Sequence, residues 1–108
     1  MKCLLIQLQP DLCAGDAQQI VDDLTSIATN SDSDASLNVE HGDDNRPYIN
    51  VNIHSTDVMS LWSAVSSRIS CDSALASCAI VCCEGDDGWD DYLLLHHYDQ
   101  GETLDTLS

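Results

Sequence analysis

The clearest pattern in the chain lies near its middle, where Ile49, Val51 and Ile53 alternate with Tyr48, Asn50, Asn52 and His54. Successive side chains of a strand point to opposite faces, so this period of two predicts a strand with one buried row and one polar row. Just upstream, Leu37, Val39 and His41 alternate with Asn38 and Glu40. The segment between, HGDDNRP at 41–47, has the composition of a turn. At the start of the chain Leu4, Ile6 and Leu8 form one row, and Cys3, Leu5, Gln7 and Gln9 the other. That predicts a strand over 2–9 which Pro10 ends, because proline has no amide to give to a ladder.

Two segments carry helical spacing instead. Ala17, Ile20, Val21, Leu24, Ile27 and Ala28 recur every three or four residues, with Asp22 and Asp23 on the wet side. Asp16 offers an N-cap, and Gln19 stands where a capping box needs it. Val58, Leu61, Trp62, Val65 and Ile69 mark the second stripe, with Ser55 or Thr56 as its cap. Serines at 60, 63, 66, 67 and 70 weaken its intrinsic propensity, so packing must hold it. Thr29–Ser36 reads as a linker. Beyond Asp72 and Ser73, an apolar run from Ala74 or Leu75 to Cys83 has strand length. GDDG at 85–88 reads as a turn, Asp91–Tyr98 as the last strand, and 101–108 as a flexible tail in which Leu104 and Leu107 are docking candidates.

The expected order is β-α-β-β-α-β-β in one domain over residues 1–100. Its first six elements match the α+β, two-layer ferredoxin-like sandwich, βαββαβ. The additional C-terminal antiparallel strand pairs with the fourth and widens the sheet to the order 5-4-1-3-2. That plan hosts many activities and names none.

Charge narrows the function. Nineteen acidic residues face three bases, Lys2, Arg46 and Arg68, for a net charge of −16. Such a surface repels a phosphate backbone and an anionic membrane, so neither nucleic acid nor membrane is an expected direct partner. It attracts basic proteins, nucleic-acid-binding proteins among them. No apolar run reaches the length of a membrane span and no signal-peptide pattern is present, so a cytoplasmic setting is expected. The chain has six cysteines, and in that setting those inside apolar runs act as small hydrophobic residues.

The richest chemistry lies in CCEGDDGWDDYLLLHHYD, residues 82–99. Cys82, Cys83, His96 and His97 are zinc-ligand types. With Asp86 and Asp87 at the centre of a regular hairpin, however, Cys83 falls opposite Asp90, Cys82 opposite Asp91, His96 opposite Ser77 and His97 opposite Ala76. The two pairs then lie about 17 Å apart along the ladder, at roughly 3.4 Å per residue. The acids also miss the calcium-loop spacing, which needs glycine at position six and glutamate at twelve. No metal site, cofactor or catalytic residue is therefore expected. A carboxylate-rich neighbourhood raises a thiol pKa, which disfavours Cys83 as a nucleophile.

An interaction surface fits better. The last strand carries apolar groups on both faces, Leu93 and Leu95 on one, Tyr92, Leu94 and Tyr98 on the other, and helices cover only one face. If Leu93 and Leu95 turn inward, His97 joins them. If Leu94 does, His96 joins it. The expected site is Asp86, Asp87, Asp90 and Asp91 as a steering group, Trp89, Tyr92 and Tyr98 as anchors, and Leu94 and His96 on the same strip. The leading expectation is a non-enzymatic acidic protein that binds and inhibits a basic macromolecule, as an immunity-type protein or a nucleic-acid mimic does. A homodimer through the open sheet face or the edge strand is a further expected contact. The alternatives are a salt-adapted structural or regulatory dimer with non-specific acidity, and a small His/Cys metal-binding or catalytic module.

Overall fold

Proline and a single 3-10 turn, Pro10–Leu12, end the first strand, β1 (Lys2–Leu8). The computed structural model describes residues 2–13, 16–31, 34–43 and 45–107. Positions 32–33 of the expected linker, 44 of the expected turn and 108 of the expected tail lie outside the described residues. Helix α1 (Ala17–Ser31) follows, then strands β2 (Ser36–Asp43) and β3 (Pro47–Ser55). Helix α2 (Val58–Cys71), the short α3 (Ser73–Ala76), and strands β4 (Ala79–Gly85) and β5 (Gly88–His96) complete the chain. The protein is thus α+β, with one antiparallel five-stranded sheet in the order β2-β3-β1-β4-β5.

Each strand of the sheet centre buries one row. Leu4, Ile6 and Leu8 of β1, Ile49, Val51 and Ile53 of β3, and Ala79, Val81 and Cys83 of β4 are buried. They meet Ile20, Val21, Leu24 and Ala28 of α1 and Val58, Leu61 and Val65 of α2 in one core. Registry makes this possible: Leu4 pairs with Ile53 on one side and Cys83 on the other, so the apolar rows align across strands. Burial at this scale, about 25 cal/mol per Å² of apolar surface, holds the serine-rich α2. Its hydroxyls are satisfied locally, Ser67 donating to the Ser63 carbonyl and Ser70 to that of Ser66.

Several boundaries differ from the pattern. Helix α1 runs on to Ser31, which takes up the start of the expected linker. There the Thr29 hydroxyl donates back to the Thr25 carbonyl rather than opening a loop. Asp16 does cap α1, accepting from the Gln18 amide at 2.9 Å, but Gln19 closes no capping box and donates to Asp23 instead. The cap of α2 is Asp57, not Ser55 or Thr56, and it accepts from the Ser60 amide and hydroxyl. Ser55 is buried two residues earlier, where its hydroxyl accepts from the Asp57 amide. Asp72 ends α2 and caps α3, so Ala74–Ala76 are helical and β4 begins only at Ala79.

The C-terminal hairpin carries the largest correction. Gly85 pairs with Gly88 as expected, but Cys83 lies opposite Leu93, Cys82 opposite Leu94 and Val81 opposite His96. Two irregularities, one between Cys83 and Gly85 and one between Val81 and Cys82, displace the ladder. His96 is therefore one position from Cys82 along the ladder, and the separation of about 17 Å expected from a regular hairpin does not hold. Glycine explains the first irregularity. At Gly85 a Cβ would run into the backbone carbonyl of Asp91, so the chain folds back onto a site that only glycine leaves open.

Candidate functional site

The hairpin tip presents its carboxylates to solvent. Asp86, Asp87, Asp90 and Asp91 are all exposed. Lys2 reaches Asp86 at 3.2 Å, an exposed ion pair that is screened by solvent and salt. The chain's other two cations are engaged elsewhere, Arg46 3.9 Å from Asp11, and Arg68 2.8 Å from Asp23 and 3.6 Å from Asp72. Trp89 is 44% exposed and Tyr92 54% exposed, so two large aromatic groups stand among the four acids.

Farther along β5 the predicted strip divides. Leu95 is buried and Leu93 packs against the core, as the first of the two orientations requires. Yet His96, not His97, turns to the helices, because the irregularity beside Val81 inserts Leu95 as an extra residue between Leu94 and His96. The His96 Nε2 lies 3.0 Å from the Ala76 carbonyl, at the end of α3. His96 thus belongs to the β5–α3 junction and not to the strip with Tyr92 and Leu94. His97 stacks beside Tyr98, ring centroids 4.6 Å apart, and its Nδ1 accepts from the Asp99 amide.

Leu94 remains on the open face, in line with Cys82 and Leu5 across three strands. With Ile80 they form a half-buried apolar wedge. The rest of that face is polar. Gln7 donates to Asn50, Gln9 to Gln7, and Asn52 to Glu40. Tyr98 joins this polar side rather than the hairpin tip. Together with Gln7, Gln9, Arg46, Tyr48 and Asn50 it lines an open cleft of about 380 Å³. The outward rows of β1 and β3 carry that amide lining in the sequence, but the arrival of Tyr98 from beyond β5 has no signal there.

The segment after β5 returns along its outer edge. The Leu94 amide donates to the Asp105 carboxylate at 2.9 Å, and the Asp105 amide donates to the Leu94 carbonyl at 2.7 Å. Leu107 then packs against the core, while Leu104 stays 48% exposed.

The thiols of β1 and β4 that flank the sheet centre, Cys3, Cys82 and Cys83, are held protonated at neutral pH. Burial, then the Glu84 charge, push the Cys3 thiol up to about 11. Glu84 also accepts from the Cys3 amide at 2.8 Å. Burial raises Cys82 and Cys83 as well. A raised pKa keeps these groups protonated and poor as nucleophiles or ligands. Although His96 and Cys82 are closer than expected, no group of three or more His, Cys, Asp or Glu side chains among the described residues is arranged to hold an ion. Among the described residues no helix is long and apolar enough to cross a membrane.

Fold and surface together define a small α+β domain with an acidic, aromatic hairpin on a sheet edge. No protein family, no curated protein and no solved structure matches the chain.

Proposed function

We propose that this chain is a non-enzymatic acidic binding domain whose β4–β5 hairpin captures a basic macromolecular partner and blocks its working surface. One observation carries the reading: Trp89 and Tyr92 are exposed on the same hairpin as the exposed Asp86, Asp87, Asp90 and Asp91, and a single cation, Lys2, contacts this group at Asp86. Carboxylates steer a basic partner to the site, and desolvated aromatic groups hold it. An immunity-type protein or a nucleic-acid mimic works in this way. The partner is a basic protein, in particular one whose own ligand is nucleic acid, and the setting is cytoplasmic. The scaffold under this reading is the ferredoxin-like βαββαβ sandwich with β5 added at one edge, supported by the order β2-β3-β1-β4-β5 and its antiparallel neighbours. A homodimer through the open face would cover Leu5, Ile80, Cys82 and Leu94.

The test is capture from the native host at low salt, followed by a salt gradient. The wild-type chain should release its partner steeply as salt rises. A variant with Asn at 86, 87, 90 and 91 should capture it far less, and Trp89→Ala should shorten its residence. Capture that is indifferent both to salt and to the four substitutions sinks the steering idea.

A second reading rests on the spread of the acids. Asp22 of α1, Glu40 and Asp43 of β2, Asp99 and Glu102 are exposed outside the hairpin tip. That distribution favours a salt-adapted structural or regulatory protein with non-specific acidity. It requires an unfolding midpoint that climbs in molar salt, and a flat midpoint counts against it.

A further inference from the structure

Cys13 and Cys78 are 65 positions apart in sequence, yet their Sγ atoms stand 2.8 Å from each other. Non-bonded heavy atoms ordinarily rest about 3.5–4.0 Å apart, and a disulfide closes to about 2.05 Å. The backbone brings the two sulfurs together. Leu8 pairs with Ala79 at the ends of β1 and β4, and the Gln9 amide donates to the Cys78 carbonyl at 2.9 Å. The 3-10 turn at Pro10–Leu12 then sends the chain back, with the Cys13 amide donating to the Pro10 carbonyl. The Cys13 thiol also donates to the Gln9 carbonyl, so the segment is anchored on the same residue that grips Cys78. The other thiols have no such arrangement: Cys82 and Cys83 point to opposite faces of β4, and Cys71 is exposed at the end of α2.

We propose that Cys13 and Cys78 are a reversible redox pair, oxidised to an intramolecular disulfide by a low-molecular-weight disulfide such as oxidised glutathione. Cys13 is half-buried and Cys78 has no exposed surface, which fixes the order of events. Cys13 loses its proton and attacks one sulfur of the small disulfide. The S–S bond of the reagent breaks, a mixed disulfide forms on Cys13, and the first small thiol leaves with a proton. Cys78 then gives up its proton and attacks the Cys13 sulfur, and a second small thiol leaves with that proton. Two protein thiols are oxidised to one disulfide, one small disulfide is reduced to two thiols, and no other oxidant is needed. Burial, then the Cys13 sulfur, push the Cys78 thiol up to about 12, in keeping with Cys78 as the resolving and not the attacking group. Disulfides in a reducing compartment are characteristically transient in this way.

The closed loop encloses α1, β2, β3, α2 and α3, so oxidation restrains most of the unfolded chain. The inference is independent of the proposed binding surface, which lies at the opposite end of β4.

The experiment equilibrates the full-length reduced chain with a mixture of reduced and oxidised glutathione, quenches by alkylation, and maps peptides without reduction. The expected result is one Cys13–Cys78 linked peptide and a fall from six alkylated thiols to about four, two being consumed per disulfide. A melting temperature about 10 °C higher, reversed by dithiothreitol, should accompany it. Cys13→Ser, at the half-buried position, should fold, keep its unshifted melting temperature in both buffers and give no linked peptide. Six alkylated thiols in the wild-type chain after equilibration overturn the proposal, as does a linkage that joins Cys71, Cys82 or any cysteines other than this pair. The mapping uses the wild-type chain, so it decides the matter even if a variant at Cys78 fails to fold.

Discussion

The two hairpins of the sheet are built from similar lengths of chain but are specified in different ways. Between β2 and β3 one register runs unbroken from Ser36 opposite His54 to Asp43 opposite Pro47. Between β4 and β5 the register is displaced twice within the span from Gly85 to Val81. In the first hairpin, sliding by one residue would exchange Ile49, Val51 and Ile53 for Tyr48, Asn50 and Asn52 on the core face, so side-chain pattern alone holds the pairing. In the second, Leu93, Leu94 and Leu95 are all apolar, and sliding by one replaces leucine with leucine. Its register is set instead by backbone approach at Gly85 and by the bond from His96 to the Ala76 carbonyl.

The largest expected effect comes from attacking the side-chain pattern itself. Ile53 is completely buried, and Ile53→Ala should destabilise the protein by about 3 kcal/mol through lost transfer energy and the cavity left behind. Leu94→Ala, on the half-buried row of β5, should cost about 1 kcal/mol. Urea unfolding of both variants measures the difference. Equal losses would mean that the open-face wedge is packed as tightly as the core.

The contrast also explains what could be read in advance. The α+β class and the antiparallel sheet follow from period-two rows such as Ile49–Val51–Ile53 and from the helical stripes of α1 and α2. The hairpin tip was equally legible, since Gly-Asp-Asp-Gly can only turn, and three cations cannot neutralise nineteen acids. Past Trp89 the pattern stops informing. Three successive leucines cannot indicate which of them faces inward, and so the positions of His96 and Tyr98 were not recoverable. The Cys13–Cys78 contact was invisible for another reason. It depends on how a three-residue turn after Pro10 re-aims the chain, and no periodicity encodes that direction.

A glycine in each hairpin sharpens the comparison at a middle scale. A Cβ at Gly42 would meet the ring of Tyr48, its cross-strand neighbour, whereas a Cβ at Gly85 would meet the backbone carbonyl of Asp91. A tyrosine ring can swing aside, but a backbone carbonyl moves only if β5 moves with it. Gly85→Ala should therefore cost about 2 kcal/mol, and Gly42→Ala less than about 1 kcal/mol. The Gly85 variant should also shift the amide resonances of β5 from Trp89 to His96, while the Gly42 variant should leave them in place. If both substitutions are equally mild, the displaced register does not depend on the close approach at Gly85.

The smallest effect concerns the outer edges of the sheet, β2 on one side and β5 on the other. An edge strand offers unpaired amides and carbonyls to any other strand, and a chain with few lysines lacks a common means of discouraging this. On β5 the returning segment meets the problem at one residue: Leu94 both donates to and accepts from Asp105. Removing the carboxylate by Asp105→Ala leaves the Asp105 amide in place but takes away the acceptor for the Leu94 amide. The loss in global stability should be only about 0.5–1 kcal/mol, since solvent replaces an exposed hydrogen bond. Hydrogen exchange reports the local event more sharply. The Leu94 amide should exchange about tenfold faster, whereas the amide of Val51 in the sheet centre should slow or quicken only with global stability. Unchanged exchange at Leu94 would mean that the Asp105 side chain does not protect this edge, and the two edges would then be equally open to pairing.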